Sequence, residues 1–307
     1  MQGIVQGVSH MEGAGDVGRR NDDTVGRLFR FVGGVEKAMP FPMGIPFVFD
    51  RFGVVSFWQC LIFHRLSVLS ANQTKDKKKG GHMKNPWNRY LAEFIATFLL
   101  IFIGAGSIIV SVQQGGTTGL VGIALAHGLA IFIGVAVTGH ISGAHINPAV
   151  TFAMFVTKRL PLRQTVGYWV SQIAGAVFGA WLLTTLFSEI IVMQSQLGTP
   201  LLAGGVSVMK GIVIEALLTF FLVIAIFASA VDPKGPRTLA PLVIGLVITM
   251  DIFFGGPLTG AAMNPARAFG PALLSGLWTN HLVYWFGPLL GGAVGGLVYD
   301  RLLLSRS

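Results

Sequence analysis

GAHINPAVTF, residues 143–152, sets an asparagine, a proline and a histidine inside a region that otherwise reads as hydrocarbon-soluble, and GAAMNPARAF at residues 260–269 repeats the pattern. Asparagine is a good helix N-cap, and proline suits the first helical position because that N–H has no intrahelical acceptor to lose. After each Asn-Pro only a short apolar stretch follows, Pro148–Thr157 and Pro265–Ser275, before charge or turn residues end it. About ten residues of helix rise ~15 Å, half the hydrocarbon thickness of a bilayer. The spacing predicts two half-helices that enter from opposite faces and meet near the midplane, where irregular backbone is tolerated only against protein or water.

The surrounding chain supports a bilayer setting. Of 307 residues, 52% are hydrophobic and only 11% charged, and the mean hydropathy is +0.68, too apolar for an ordinary soluble domain. The formal charge of +9 could suggest nucleic acid, but 11 of the 22 Lys and Arg lie in the first 79 residues and the rest sit mainly in short loops. That distribution reads as topology signals and excludes a nucleic-acid-binding face. The single cysteine, Cys60, allows no internal disulfide and no thiol pair.

Residues 1–82 differ in character from the rest of the chain, with 11 Lys or Arg, 7 Asp or Glu, and the polar run Asn72 to Gly81 at their end. Their best apolar stretch, Gly53 to Phe63, is about half of the ~20 residues a span requires. They are read as an N-terminal extension, a disordered arm or the product of an upstream start, with Met83 as the alternative start. Residues 83–307 are read as one membrane-spanning domain. It contains six long apolar stretches, Leu91–Val112, Thr118–Gly139, Gln164–Phe187, Ser207–Val231, Leu239–Gly256 and Asn280–Tyr299. Six crossings put both termini on one side. Lys158, Arg159, Arg163, Lys234, Arg237, Arg301 and Arg306 fall on that side, so both ends are expected in the cytosol of an integral multi-pass protein, with the cell membrane as the expected location.

The domain repeats itself, over about 87–187 and 207–303. EFIATF at 93–98 opens the first half and EALLTF at 215–220 the second. Ser142-Gly143-Ala144 matches Thr259-Gly260-Ala261 ahead of each Asn-Pro-Ala. Three spans per half is an odd number, so the halves insert in opposite senses and place a functional site between them at the midplane. Each half-helix presents roughly +0.5 charge at its N-terminus, and two aimed at one point disfavour any cation, including a proton on a water file. Asn147 and Asn264 offer side-chain N–H donors there. The loop backbones at 143–146 and 260–263 offer carbonyls, with Gly143, Ala144, His145, Gly260 and Ala262 as the expected pore-lining set. Such a lane suits a small neutral hydrogen-bonding solute.

With these motifs in view, residues 84–304 resemble the aquaporin (major intrinsic protein) family, through SGAHINPAVTF, MNPARAFGPAL and the two ExxxTF openings. The resemblance implies an all-α membrane fold of six transmembrane helices plus two re-entrant half-helices in an inverted repeat. It also implies a homotetramer in the lipid bilayer with one pore per subunit, no enzymatic activity and no cofactor. The Asn-Pro-Ala residues it singles out are Asn147, Pro148, Ala149, Asn264, Pro265 and Ala266. Its selectivity filter falls on His127, Ile252, Ala261 and Arg267. Arg267 stands where the first repeat has Val150; a guanidinium there repels cations while hydrogen-bonding water. A filter with His in span two, Ile in span five and Ala in the loop is similar to that of plant vacuolar (tonoplast-type) aquaporins. It implies passage of water and of ammonia, urea or hydrogen peroxide. Glycerol facilitators differ in carrying Asp after the filter Arg, where this chain has Ala268, and a non-aromatic pair where it has Tyr284-Trp285; a glycerol channel is the alternative.

Glu93 and Glu215 admit two readings. As proton-relay carboxylates, with Asp251, they would make a coupled transporter; by resemblance they support the re-entrant loops. His140 is a candidate cytosolic constriction and His145 a wall residue. Asp251 would either tune the filter or reach the membrane interface. The glycines spaced four apart, Gly175 and Gly179, Gly291 and Gly295, are expected to let helices approach.

Overall fold

The computed structural model describes residues 87–304, all of whose regular structure is helical. The proposed extension, Cys60 and the alternative start at Met83 lie outside the described residues. In chain order the elements are α1 (Trp87–Gln113), α2 (Gly119–Ser142), α3 (Pro148–Val156), α4 (Leu162–Leu186), α5 (Glu189–Gln194), α6 (Val208–Ile226), α7 (Ala240–Thr259), α8 (Pro265–Ser275) and α9 (Val283–Val298). α6 and α9 run on into π turns, Phe227–Val231 and Tyr299–Leu303, and a 3₁₀ turn, Arg237–Leu239, leads into α7. Among the described residues, five helices are long and apolar enough to cross a membrane: α1, α2, α4, α6 with its π turn and α7 with its 3₁₀ turn. α9, at 16 residues, reaches comparable length only with its own π turn. These six match the six apolar stretches. α3 and α8 have 9 and 11 residues, about 14 and 17 Å at 1.5 Å per residue, too short to cross and as long as the half-helix reading requires.

Local chemistry explains the boundaries. α2 and α7 end where Gly143 (φ 92°) and Gly260 (φ 79°) turn left-handed, their N–H groups returning to Gly139 O and Gly256 O, a conformation glycine adopts without a Cβ penalty. α3 and α8 begin at Asn147 and Asn264, each extended (φ −148° and −146°), with proline next in sequence. The short α5 and the 3₁₀ turn Gln196–Gly198 lie in a loop for which the apolar pattern gave no element.

Packing interleaves the repeats. α1 packs on α4, and its counterpart α6 on α9; α2 lies against α7. Each half-helix lies against the third span of the other repeat, α3 on α9 and α8 on α4. The spaced glycines act as expected: a Cβ on Gly175 would collide with the Phe94 carbonyl, and one on Gly291 with the Ala216 carbonyl. Backbones close enough for this gain dispersion contact in place of the hydrophobic force that lipid does not supply. Large apolar side chains such as Leu129, Val170, Leu217 and Phe254 remain exposed on the perimeter, as a lipid-facing surface requires.

Candidate functional site

The two loops that precede α3 and α8 carry strained backbone. Ala144 (φ 47°) and Ile146 (φ 58°) in the first, Ala261 (φ 43°) and Met263 (φ 53°) in the second, are left-handed without being glycine, at a cost of about 1–2 kcal/mol each. Buried carboxylates hold them there. Glu93 Oε1 accepts from Ser142 Oγ at 2.7 Å and His145 N at 2.9 Å, and Oε2 from Ile146 N at 2.7 Å and Gln172 Nε2 at 2.8 Å. Glu215 Oε1 accepts from Thr259 Oγ1 at 2.6 Å and Ala262 N at 2.9 Å, and Oε2 from Met263 N at 2.7 Å. Both side chains are fully buried, and neither lines the central cavity. Their oxygens are spent on loop amides, as buried charge requires, which leaves the proton-relay reading without its carriers.

Where the half-helices meet, each asparagine serves both repeats. Asn147 Oδ1 caps its own helix by accepting from Ala149 N at 2.7 Å, while Nδ2 donates to Met263 O at 2.8 Å. Asn264 Oδ1 accepts from Ala266 N at 3.0 Å and Arg267 N at 3.3 Å, while Nδ2 donates to Ile146 O at 3.0 Å. Thr97 and Thr219 hydroxyls add bonds to Ile146 O and Met263 O, at 3.3 and 3.5 Å. One N–H of each amide is spent across the repeats and one remains for a solute.

Three of the loop carbonyls depart from the expected wall: Ile146 and Met263 at the second end of each loop, and Gly260 at the start of the second loop. Ile146 O and Met263 O are consumed by protein donors. Gly260 does not line the cavity; a Cβ there would stand 2.9 Å from Pro200, because the preceding loop packs against it. Gly143, Ala144, His145 and Ala262 do line the cavity. Among the described residues no protein group donates to their carbonyls.

A single cavity of about 460 Å³ carries His127, Ile252, Ala261 and Arg267, both asparagines, and His140. Pro148, Ala149, Pro265 and Ala266 are buried and do not line it. His140 is exposed at the mouth, while His145 is held by Nδ1 against Thr151 Oγ1 at 3.1 Å and edge-on to Tyr168. Arg267 is buried, and its Nη1 donates to Gly198 O at 2.8 Å. That carbonyl went unread in the sequence. Its only signal in the sequence was a glycine in a short loop; the structure turns that glycine left-handed at φ 67°, and a Cβ on it would stand about 3 Å from Ala105.

Asp251 departs from expectation. It is 2% exposed, absent from the cavity wall, and its Oδ2 has no partner among the described residues. It does not reach an interface in this chain, because this face of α7 packs on α6, with Leu218 filling the space beside Gly255. Among the described residues no Asp or Glu lines the cavity. Sequence reasoning also missed a pair of clamps: Tyr168 OH donates to Ser142 O at 2.6 Å and Tyr284 OH to Thr259 O at 2.9 Å, each tying a third span to the residue before the loop glycine. Tyr284, read from sequence as a mark of solute class, thus has a structural task. Among the described residues no group of three His, Cys, Asp or Glu is placed to hold a metal ion.

The profile of the "Major intrinsic protein" family matches residues 81–299. Among curated proteins, the chain is 42% identical over 222 residues to aquaporin TIP4-4 of Zea mays, covering 70% of this chain and 86% of that one. It is 41% identical over 225 residues to aquaporin TIP2-1 of Arabidopsis thaliana, covering 71% and 88%. Among solved structures, the aquaglyceroporin from Plasmodium falciparum superposes with a TM-score of 0.65 at 27% identity, covering 71% of this chain and 97% of that one.

Proposed function

Because the chain belongs to the major intrinsic protein family, whose members are channels and not enzymes, we propose that it conducts water and small neutral solutes passively and excludes protons and ions at two points along one path. The observation that carries this reading is the reciprocal pair of asparagine-to-carbonyl bonds at the junction of two half-helices, set in the cavity that also holds Arg267. At that junction two positive helix ends face the solute and one N–H of each asparagine orients it, so a passing water turns its oxygen toward the amides and cannot relay a proton through. At Arg267 a fixed guanidinium adds a second cation barrier and a set of donors. Free carbonyls on either side accept from the solute and replace part of its hydration.

His127, Ile252, Ala261 and Arg267 are the filter in this reading, and the solute range is water with ammonia, urea and hydrogen peroxide. Glycerol is the second reading, favoured by the likeness to an aquaglyceroporin and opposed by Ala268 and the Tyr284-Trp285 pair. The functional unit is a homotetramer with one pore per chain. Both termini face the cytosol, supported by the basic residues of the loops on that side, and the cell membrane is the proposed location. The likeness to TIP-named relatives makes a vacuolar membrane the outcome to test against it, by imaging a fluorescent fusion.

Stopped-flow light scattering on proteoliposomes tests the function. Osmotic shrinkage well above that of empty vesicles is expected, with urea and ammonia gradients also dissipating and glycerol lagging. Shrinkage at the empty-vesicle rate, with the protein shown to be inserted, would sink the reading.

A further inference from the structure

We propose that Gly104, on α1 and outside the four filter positions, sets the width of the filter by housing the imidazole of His127. The inference rests on the reading of His127 as a filter residue.

A Cβ on Gly104 would stand 2.6 Å from His127 Cδ2, 2.7 Å from Nε2 and 3.0 Å from Cγ. Real side chains essentially never approach so closely, so a methyl group there displaces something. The ring is tethered on its other edge, where Nδ1 lies 2.9 Å from Ile123 O one turn back on α2. A carbonyl partner makes Nδ1 the donor and leaves Nε2 unprotonated, and Nε2 is buried with no partner among the described residues. The imidazole therefore contributes bulk more than hydrogen bonding, and where that bulk sits decides the aperture.

α1 cannot retreat to make room. One residue on, Ala105 already presses on Gly198, with its Cβ 3.0 Å from where a Cβ on that glycine would stand; one turn back, Ile101 lies at the same distance from a Cβ built on Gly179 of α4. With α1 wedged between the Arg267-binding loop and α4, the side open to the ring is the cavity that His127 already lines. The absent methyl at position 104 is thus a recess that keeps the imidazole out of the lumen, and its loss narrows the lane for solutes wider than water.

The test compares Gly104→Ala, His127→Ala and the double variant in proteoliposomes, reading urea and water permeability together. Gly104→Ala is expected to lower urea permeability by roughly tenfold or more, the scale at which one methyl group discriminates in a fitted site, with a smaller loss for water. His127→Ala raises the urea-to-water ratio, and the double variant matches His127→Ala because no ring remains to be displaced. An unchanged ratio in Gly104→Ala, with His127→Ala shifting it, overturns the proposal and leaves the filter reading standing. An unchanged ratio in His127→Ala overturns both. If Gly104→Ala does not insert but the double variant does, the contact is supported. If neither inserts, or if the methyl still lowers urea flux without the ring, Gly104 serves helix packing and the proposal fails.

Discussion

The two re-entrant loops share a plan and differ in how they are braced. In the first, a polar chain runs from His145 to Thr151 to Gln172 to Glu93, and Trp169 Nε1 donates to Pro148 O at 3.0 Å. In the second, the corresponding places hold Ala262, Ala268 and Pro288, and Trp285 turns instead to His281 Nε2 at 3.1 Å. Glu93 collects four donors and Glu215 three. The second loop has given up internal bracing and gained Arg267, anchored from outside on Gly198. A symmetric scaffold thus assigns its halves different work: the first loop is the better supported, and the second carries the charge.

The sharpest break in this comparison is Glu215→Gln. Its new amide N–H₂ faces the Ala262 or Met263 N–H, which cannot reverse even where the Thr259 hydroxyl turns, so at least one buried donor loses its acceptor, at about 1–3 kcal/mol. Loss of monodisperse protein, or flux near background, is expected. Glu93→Gln is expected to do less damage, because Gln172 Oε1 lacks a partner among the described residues and its amide can turn to accept from the new side chain. Thermal melting of the two variants side by side checks the ranking; equal losses would mean the bracing difference carries no weight.

Arg267→Val, which copies Val150 of the first loop, comes next in size. Removing one guanidinium is expected to raise proton or ammonium leak by about tenfold, equivalent to some 1.4 kcal/mol of barrier, while water permeability changes less; a pH-sensitive dye inside the vesicles reads it. Thr151→Ala should cost about 1 kcal/mol of stability with flux preserved, because it removes bracing and no cavity wall. The smallest expected effect is none: mercurials should leave water flux unchanged, since Cys60 is the sole cysteine and lies before residues 81–299, which the family profile matches. Block that persists in a chain lacking residues 1–82 would contradict this.

Much of the molecule was legible in the sequence because membrane constraints are local and strong. The six apolar stretches, the two Asn-Pro starts and the glycine stops each follow from a short window of residues, and α8 begins and ends at the expected Pro265 and Ser275. The resemblance assigned roles to Glu93 and Glu215 by their matched places, and the hydrogen bonds now give the reason. What stayed hidden was long-range and carried by ordinary residues. Gly198 acts through a backbone carbonyl, which has no residue signature. Tyr168 and Gln172 look like generic polar positions in an apolar span until their partners, 26 and 79 residues away, are known. Asp251 carried two readings, filter or membrane interface, and a single acid in an apolar span has no sequence signal for a third, burial away from both.

The crossed amide bonds at the midplane bear on how the molecule is made. Ile146 O waits for Asn264, 118 residues later in the chain, and Asn147 for Met263. While the ribosome is still adding the second repeat, the first half-helix has its capping residue in place but its opposite number missing. Assembly of the lane is therefore a late event in biogenesis, and a nascent chain halted between the repeats would hold half of a gate with nothing to close against.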